Sequence, residues 1–142
     1  MTTIKQILQE KGGDVASISP DATVFDAIKA MAEQNIGALV VIEAGRVVGL
    51  ITERAYAREV VLKGRTSPTT AVRAVMETDL PYARPEQLVE ECMAVMTRTR
   101  LRHMPVFSDG ELVGLISMGD LVKSIIGNQE FTIEQLLHYI HS

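Results

Sequence analysis

The sequence predicts an α/β (α+β) fold made of two pseudo-twofold copies of one unit, each a small sheet with flanking helices. Two observations carry that prediction. The stretch Gly45-Arg46-Val47-Val48-Gly49-Leu50-Ile51-Thr52-Glu53-Arg54-Ala55 returns as Gly110-Glu111-Leu112-Val113-Gly114-Leu115-Ile116-Ser117-Met118-Gly119-Asp120. Setting Pro20 against Pro85 then gives a constant shift of 65 residues that aligns the two copies without a gap. A unit of helix, hairpin and helix is too small to bury its own sheet face, and a second copy supplies the missing partner, so one globule with internal symmetry is expected.

The elements follow in order. Residues Thr3 to Glu10 read as a short amphipathic helix with Ile4, Ile7 and Leu8 on one side, ended by Gly12-Gly13. Val15 to Ser19 is extended and leads to Pro20-Asp21-Ala22-Thr23, after which Val24, Ala27, Ile28 and Met31 keep the spacing of one helical face. A strand over Ala38 to Ile42, the turn Glu43-Ala44-Gly45-Arg46, a strand over Val47 to Ile51 and a helix from Glu53 to Leu62 complete the first copy. Lys63-Gly64-Arg65-Thr66-Ser67-Pro68 has the composition of a linker. Beyond it Thr70 to Met76 echoes the first short helix, Leu80 to Pro85 echoes the extended lead-in, and Val89, Cys92, Met93 and Met96 repeat the apolar face of the first long helix.

These boundaries give a first unit over 1–66 with the N-terminal helix, a second over 67–127, and a C-terminal amphipathic helix over 128–142. The last has Thr132 as N-cap, Gln135 at the third helical position and an apolar stripe of Ile133, Leu136, Leu137 and Ile140. It either covers the globule or serves a second subunit, and the second is preferred.

Composition excludes several functions. Of 142 residues, 46% are hydrophobic and 23% charged, the profile of a compact soluble domain. No apolar run spans a bilayer, and Met1-Thr2-Thr3-Ile4-Lys5-Gln6 has no signal-peptide pattern, so a cytoplasmic protein and no membrane partner are expected. Fourteen Lys and Arg against eighteen Asp and Glu leave a formal charge of -4, and Trp is absent, so no nucleic-acid partner is expected. The single cysteine, Cys92, falls on an apolar helix face and reads as core. His138 and His141 are three apart on the C-terminal helix without a third metal ligand nearby. Glu53 and Glu90-Glu91 read as helix-surface acids. With no catalytic constellation, a non-enzyme is expected.

Chemistry concentrates at the second strand-to-helix junction. Ser117-Met118-Gly119-Asp120 is first of all a capping box, a hydroxyl followed three residues on by an acid. The same residues also offer free helix N–H groups to an anion, and a carboxylate that accepts from vicinal hydroxyls such as those of ribose. Both roles can coexist. If Asp109-Gly110 is a two-residue turn, Phe107 faces Leu112, Pro105 faces Gly114 and Arg102 faces Ser117, with Gly37 facing Thr52 in the first copy; a slip of one residue would move these pairs. The stretch Thr97-Arg98-Thr99-Arg100-Leu101-Arg102-His103-Met104-Pro105 holds three arginines and a histidine with no acid, whereas the first-copy stretch from Ala32 to Val40 has one glutamate and no base. A solvated cationic turn is the plain reading of such a run. Beside Ser117 and Asp120, however, guanidinium groups suit phosphate oxygens, and the set suggests a nucleotide.

Gly49-Leu50-Ile51-Thr52-Glu53-Arg54, Gly114 through Asp120, His103-Met104-Pro105-Val106 and the helices opened by Pro20 and Pro85 together resemble a tandem pair of cystathionine β-synthase (CBS) domains, a Bateman module, over nearly the whole chain. The resemblance implies a stand-alone regulatory module that binds an adenine nucleotide (AMP, ATP or an NAD-like ligand) in the cleft between its motifs. It maps ribose recognition onto Ser117 and Asp120 with Ile116 and Gly119, and lines the cleft with Arg102, His103, Met104, Pro105 and the first-copy positions Gly37, Ala38 and Leu39. It also implies a homodimer; with no output domain remaining, any regulated protein is addressed in trans. The nucleotide's identity and any Mg²⁺ companion are left open. Ala55 stands where the motif expects Asp, so the first site is altered, although Thr52 and Arg54 remain as candidate contacts. Restoring an acid at Ala55 should strengthen or add nucleotide binding. The alternative function is a ligand-independent structural, dimerisation or interaction module.

Overall fold

A computed structural model describes residues 1–141, with side chains from Met1 to His138. The chain divides into two compact units, one formed by Asp14–Pro81 and the other by Met1–Gly13 together with Tyr82–Ser142.

In the unit Asp14–Pro81, strand β1 (Ser17–Ile18) runs parallel to β2 (Ala38–Glu43), which pairs antiparallel with β3 (Arg46–Thr52). Helix α2 (Val24–Gln34) starts at a capping box in which Thr23 Oγ1 accepts from Asp26 N–H, and Asp26 Oδ2 accepts from Thr23 N–H. It ends at Asn35 in the left-handed conformation, φ 55°. Its buried face of Val24, Ala27 and Met31 packs on Leu39, Val41 and Ile51 of the sheet, with Val60, Val72 and Val75 closing the core. Each fully buried side chain of this size stabilises the fold by about 1.5–3 kcal/mol.

The other unit repeats this plan. Helix α4 (Val89–Thr99) ends at left-handed Arg100, the counterpart of Asn35, and β4 (His103–Ser108) pairs antiparallel with β5 (Glu111–Ser117). Ala83 forms a parallel bridge to Val106, as Ile18 does to Val41. Val89, Cys92, Met96, Met104, Val106 and Ile116 occupy the core at the places of Val24, Ala27, Met31, Leu39, Val41 and Ile51. Both hairpins turn as expected through two residues of positive φ, Ala44-Gly45 and Asp109-Gly110.

The linear division at 66/67 is not the spatial one. Helix α1 (Ile4–Lys11) belongs with Tyr82–Ser142, where Ile4 and Ile7 enter the core of the second repeat. Residues 70–77 perform the same service for the first repeat. The correspondence is a shift of 68: Ile4 N–H donates to Gln87 O as Val72 N–H donates to Ala22 O, and Lys5 N–H donates to Pro85 O as Arg73 N–H donates to Pro20 O. Each repeat is thus completed by the segment that precedes the other in sequence. The echo near Thr70 is not an α-helix but two 3-10 turns, Ser67–Thr69 and Val72–Ala74.

Two further expectations change. After α3 (Glu53–Tyr56), the helix expected to reach Leu62 continues as a π-helix, Ala57–Val61. The helix expected to start at Thr132 is the continuation of α5 (Met118–His141), and the Thr132 hydroxyl donates to Asn128 O inside it instead of capping an end. Nothing between Met118 and Thr132 breaks the helix except Gly127, which costs only about 1 kcal/mol. Ile133, Leu136 and Leu137 are exposed along α5, while Ile140 lies outside the described side chains. No helix among the described residues is long and apolar enough to cross a membrane.

Candidate functional site

The register in the second hairpin differs by one residue from the two-residue-turn count. Phe107 does face Leu112, but a bulge follows, so Val106 faces Gly114 and Pro105 faces Leu115. His103, and not Arg102, is consequently the cross-strand neighbour of Ser117. The first hairpin bulges at the matching place, between Val41 and Ile42, and Ala38 instead of Gly37 faces Thr52. An extra residue on one strand is invisible to a count from the turn. Arg102 and Gly37 lie one step further out, where Arg102 O accepts from Met118 N–H at 2.8 Å and Gly37 O accepts from Glu53 N–H at 3.1 Å.

At the start of α5, Asp120 N–H donates to Ser117 Oγ at 3.1 Å and Ser117 N–H donates to Asp120 Oδ2 at 2.8 Å. The capping box is therefore formed in full. A third group joins it that the motif does not contain. Lys11, the last residue of α1, places its Nζ 2.7 Å from Asp120 Oδ2 and 2.7 Å from Leu115 O. Both donors to the carboxylate fall on Oδ2, and Oδ1 takes no part in either contact. Burial would raise the Asp120 carboxyl, but the Lys11 ammonium and the Ser117 N–H and hydroxyl together hold it below the usual carboxylate value.

His103 is half-buried beside this group. Burial, followed by the charges of Lys11 and Arg102, lowers its pKa against the opposing pull of Asp120, which favours the neutral ring. Arg102 and Gly119 are exposed, and Ser117 and Asp120 are half-buried. Met104 and Ile116 point into the core of their unit and Pro105 is buried, so these three shape the strands more than they present functional groups.

In the other unit Thr52 Oγ1 accepts from Ala55 N–H at 3.0 Å, the same half of the box, and the Ala55 methyl leaves the reciprocal half unmade. Ala55 is buried, Thr52 and Arg54 are half-buried, and Ala38 and Leu39 are buried within β2. Cys92 lies in the core, where burial and then Glu91 push its thiol up to about 11, which keeps it protonated and unreactive at neutral pH. Among the described residues no three His, Cys, Asp or Glu side chains gather closely enough to hold a metal ion, and His141 lies outside the described side chains.

Lys11 was not among the residues singled out from sequence. The signal was present: it follows Ile4, Ile7 and Leu8 at helical spacing, so a cation closes an otherwise apolar stripe. Its destination depended on α1 docking on the second repeat, which the linear division hid.

Two sheets each flanked by helices, a doubled hairpin and a hydroxyl-plus-acid helix start define a repeat-built α/β fold. The CBS domain matches residues 4–62 and 72–127, and the chain belongs to the CBS-domain family, carrying two copies in tandem. It is similar to the mitochondrial CBS domain-containing protein CBSX3 of Arabidopsis thaliana, 37% identical across 98% of this chain and 72% of that protein. It is also similar to the CBS domain-containing protein YhcV of Bacillus subtilis, 30% identical across 91% of this chain and 89% of that protein. A solved structure of a CBS-domain protein from Burkholderia ambifaria matches with a TM-score of 0.87 at 47% identity, covering 90% of this chain and 96% of that one.

Proposed function

We propose that this chain is a regulatory sensor that binds AMP, ATP or a related adenosyl ligand at its second motif and acts in trans on another polypeptide. The observation that carries the reading is the meeting of Ser117, Asp120 and Lys11 at the start of α5 beside His103 and Arg102. In this reading the ribose hydroxyls donate to Asp120, which has Oδ1 outside its present contacts, and the Ser117 hydroxyl adds a second polar group. Phosphate oxygens are served by Lys11 and Arg102, with His103 as a neutral donor. The first motif, with Thr52 and Arg54 but a buried Ala55, has no carboxylate for a ribose. A homodimer in the cytoplasm accompanies the proposal, and the exposed Ile133, Leu136 and Leu137 of α5 favour an additional protein contact.

A second reading, a ligand-independent structural module, is favoured by the completeness of the Ser117–Asp120 box, which already serves α5 as a cap. One experiment separates the two. A thermal-shift panel of AMP, ATP, NAD and S-adenosylmethionine, with and without Mg²⁺, should raise the melting temperature for at least one compound. Ligand at a hundred times its dissociation constant stabilises the native state by about 2.7 kcal/mol. No shift with any of the four favours the structural module.

A further inference from the structure

We propose that Lys11 makes the Ser117–Asp120 site select phosphorylated, anionic nucleosides over uncharged ones, a role that rests on the nucleotide-binding reading above. The ammonium group is delivered by a docked helix and not by a loose tail. Ile4 and Ile7 sit in the core of the unit, backbone bonds to Gln87 and Pro85 hold the start of α1, and the Nζ bridges Leu115 O and Asp120 Oδ2.

The pseudo-symmetric unit shows that the fold itself does not demand this lysine. Under the shift of 68, Ile4, Ile7 and Leu8 correspond to Val72, Val75 and Met76, and Asp79 stands at the place of Lys11. Leu50, the counterpart of Leu115, has its carbonyl satisfied by Glu77 N–H at 2.9 Å. One unit therefore has both the acid and the cation, and the other has Ala55 and neither. The two charges are present or absent together.

A lone carboxylate at a ribose site repels a phosphate a few bonds away. Lys11 cancels that repulsion while leaving Oδ1 for a hydroxyl, and its flexible stem and 39% side-chain exposure let the ammonium serve an incoming anion as well. An uncharged nucleoside gains the hydroxyl contacts alone. Arg102 adds positive charge from β4's leading edge, and neutral His103 adds a dipole.

The test is calorimetric titration of AMP and of adenosine into the wild-type chain, Lys11→Met, Lys11→Arg and the exposed-helix control Lys5→Met. The expected result is AMP binding weakened about tenfold or more in Lys11→Met, the scale of one charge-assisted contact, with adenosine changed less than about threefold. Lys11→Arg keeps the preference for AMP, and Lys5→Met matches wild type. Equal losses for both ligands would assign Lys11 to positioning Asp120 only and overturn the proposal, as would no loss at all. Should Lys11→Met fail to fold by circular dichroism, the wild-type chain still decides: added salt must weaken AMP and leave adenosine unchanged. A wild type that binds AMP and adenosine equally overturns the role of Lys11 while the nucleotide reading stands; one that binds neither removes both.

Discussion

Lys11 and Asp120, 109 positions apart in sequence, form an ion pair 2.7 Å long that joins the last turn of α1 to the first turn of α5. The pair is partly exposed, so its own contribution to stability is modest, about 0–1 kcal/mol. Its importance is positional, since it fixes a cation at the helix start where the hydroxyl and acid of the second motif meet.

Loss of either half of the α5 cap should cost stability. Asp120→Ala removes the reciprocal half of the cap and is expected to destabilise the chain by about 1 kcal/mol in urea denaturation. Ser117→Ala, which removes the other half, should cost a similar amount.

The two strand glycines give a sharper comparison, because they occupy the same place in the two repeats. A Cβ on Gly49 would lie 2.7 Å from Glu77 O and 2.9 Å from Met76 Sδ, so the backbone itself would have to move. For a Cβ on Gly114 the three nearest atoms all belong to the Leu8 side chain, its methyls at 2.5 and 3.0 Å and its Cγ at 3.3 Å, and that side chain can turn away. Gly49→Ala should therefore cost about 2–3 kcal/mol and Gly114→Ala about 1 kcal/mol in equilibrium unfolding. Equal costs would mean that the 76–77 segment yields as readily as a side chain.

Docking of α1 on the second repeat is tested by Ile4→Ala. Ile4 is fully buried, and its truncation should cost about 2–5 kcal/mol. Hydrogen exchange should accelerate in α4, β4 and β5 and not in β2 and β3. Acceleration in β2 and β3 instead would assign the helix to the first repeat, as the linear division supposed.

His103 predicts a pH dependence. Burial and the nearby Lys11 and Arg102 lower its folded pKa, whereas the unfolded chain titrates at about 6.5. Below that value the unfolded state binds the proton more readily, so the stability present above it is lost as pH falls toward the folded pKa. His103→Gln should flatten the loss that sets in as pH falls through and below about 6.5, measured by urea midpoints. The Asp120 carboxyl, also lowered, adds its own loss only on further acidification below about pH 4.

Much of the fold was legible because the repeat carries it. Turn pairs with positive φ at Ala44-Gly45 and Asp109-Gly110, the apolar faces of α2 and α4, and the hydroxyl that caps each following helix are all local signals. What sequence did not disclose is long-range or cumulative. The bulge between Val106 and Phe107 moves His103 into the place expected for Arg102 without any residue marking it. The crossing of α1 to the second repeat concealed Lys11, and the continuous α5 absorbed a cap-like Thr132 because no breaker intervenes.

The central claim is that Ser117 and Asp120 of the second motif hold an adenine nucleotide. Calorimetric titration of AMP into wild-type chain and Asp120→Ala tests it most directly. The account predicts saturable binding in the wild type, weakened at least about tenfold by the substitution, the scale of a lost charge-assisted contact to ribose. Unchanged affinity and stoichiometry in Asp120→Ala would contradict it.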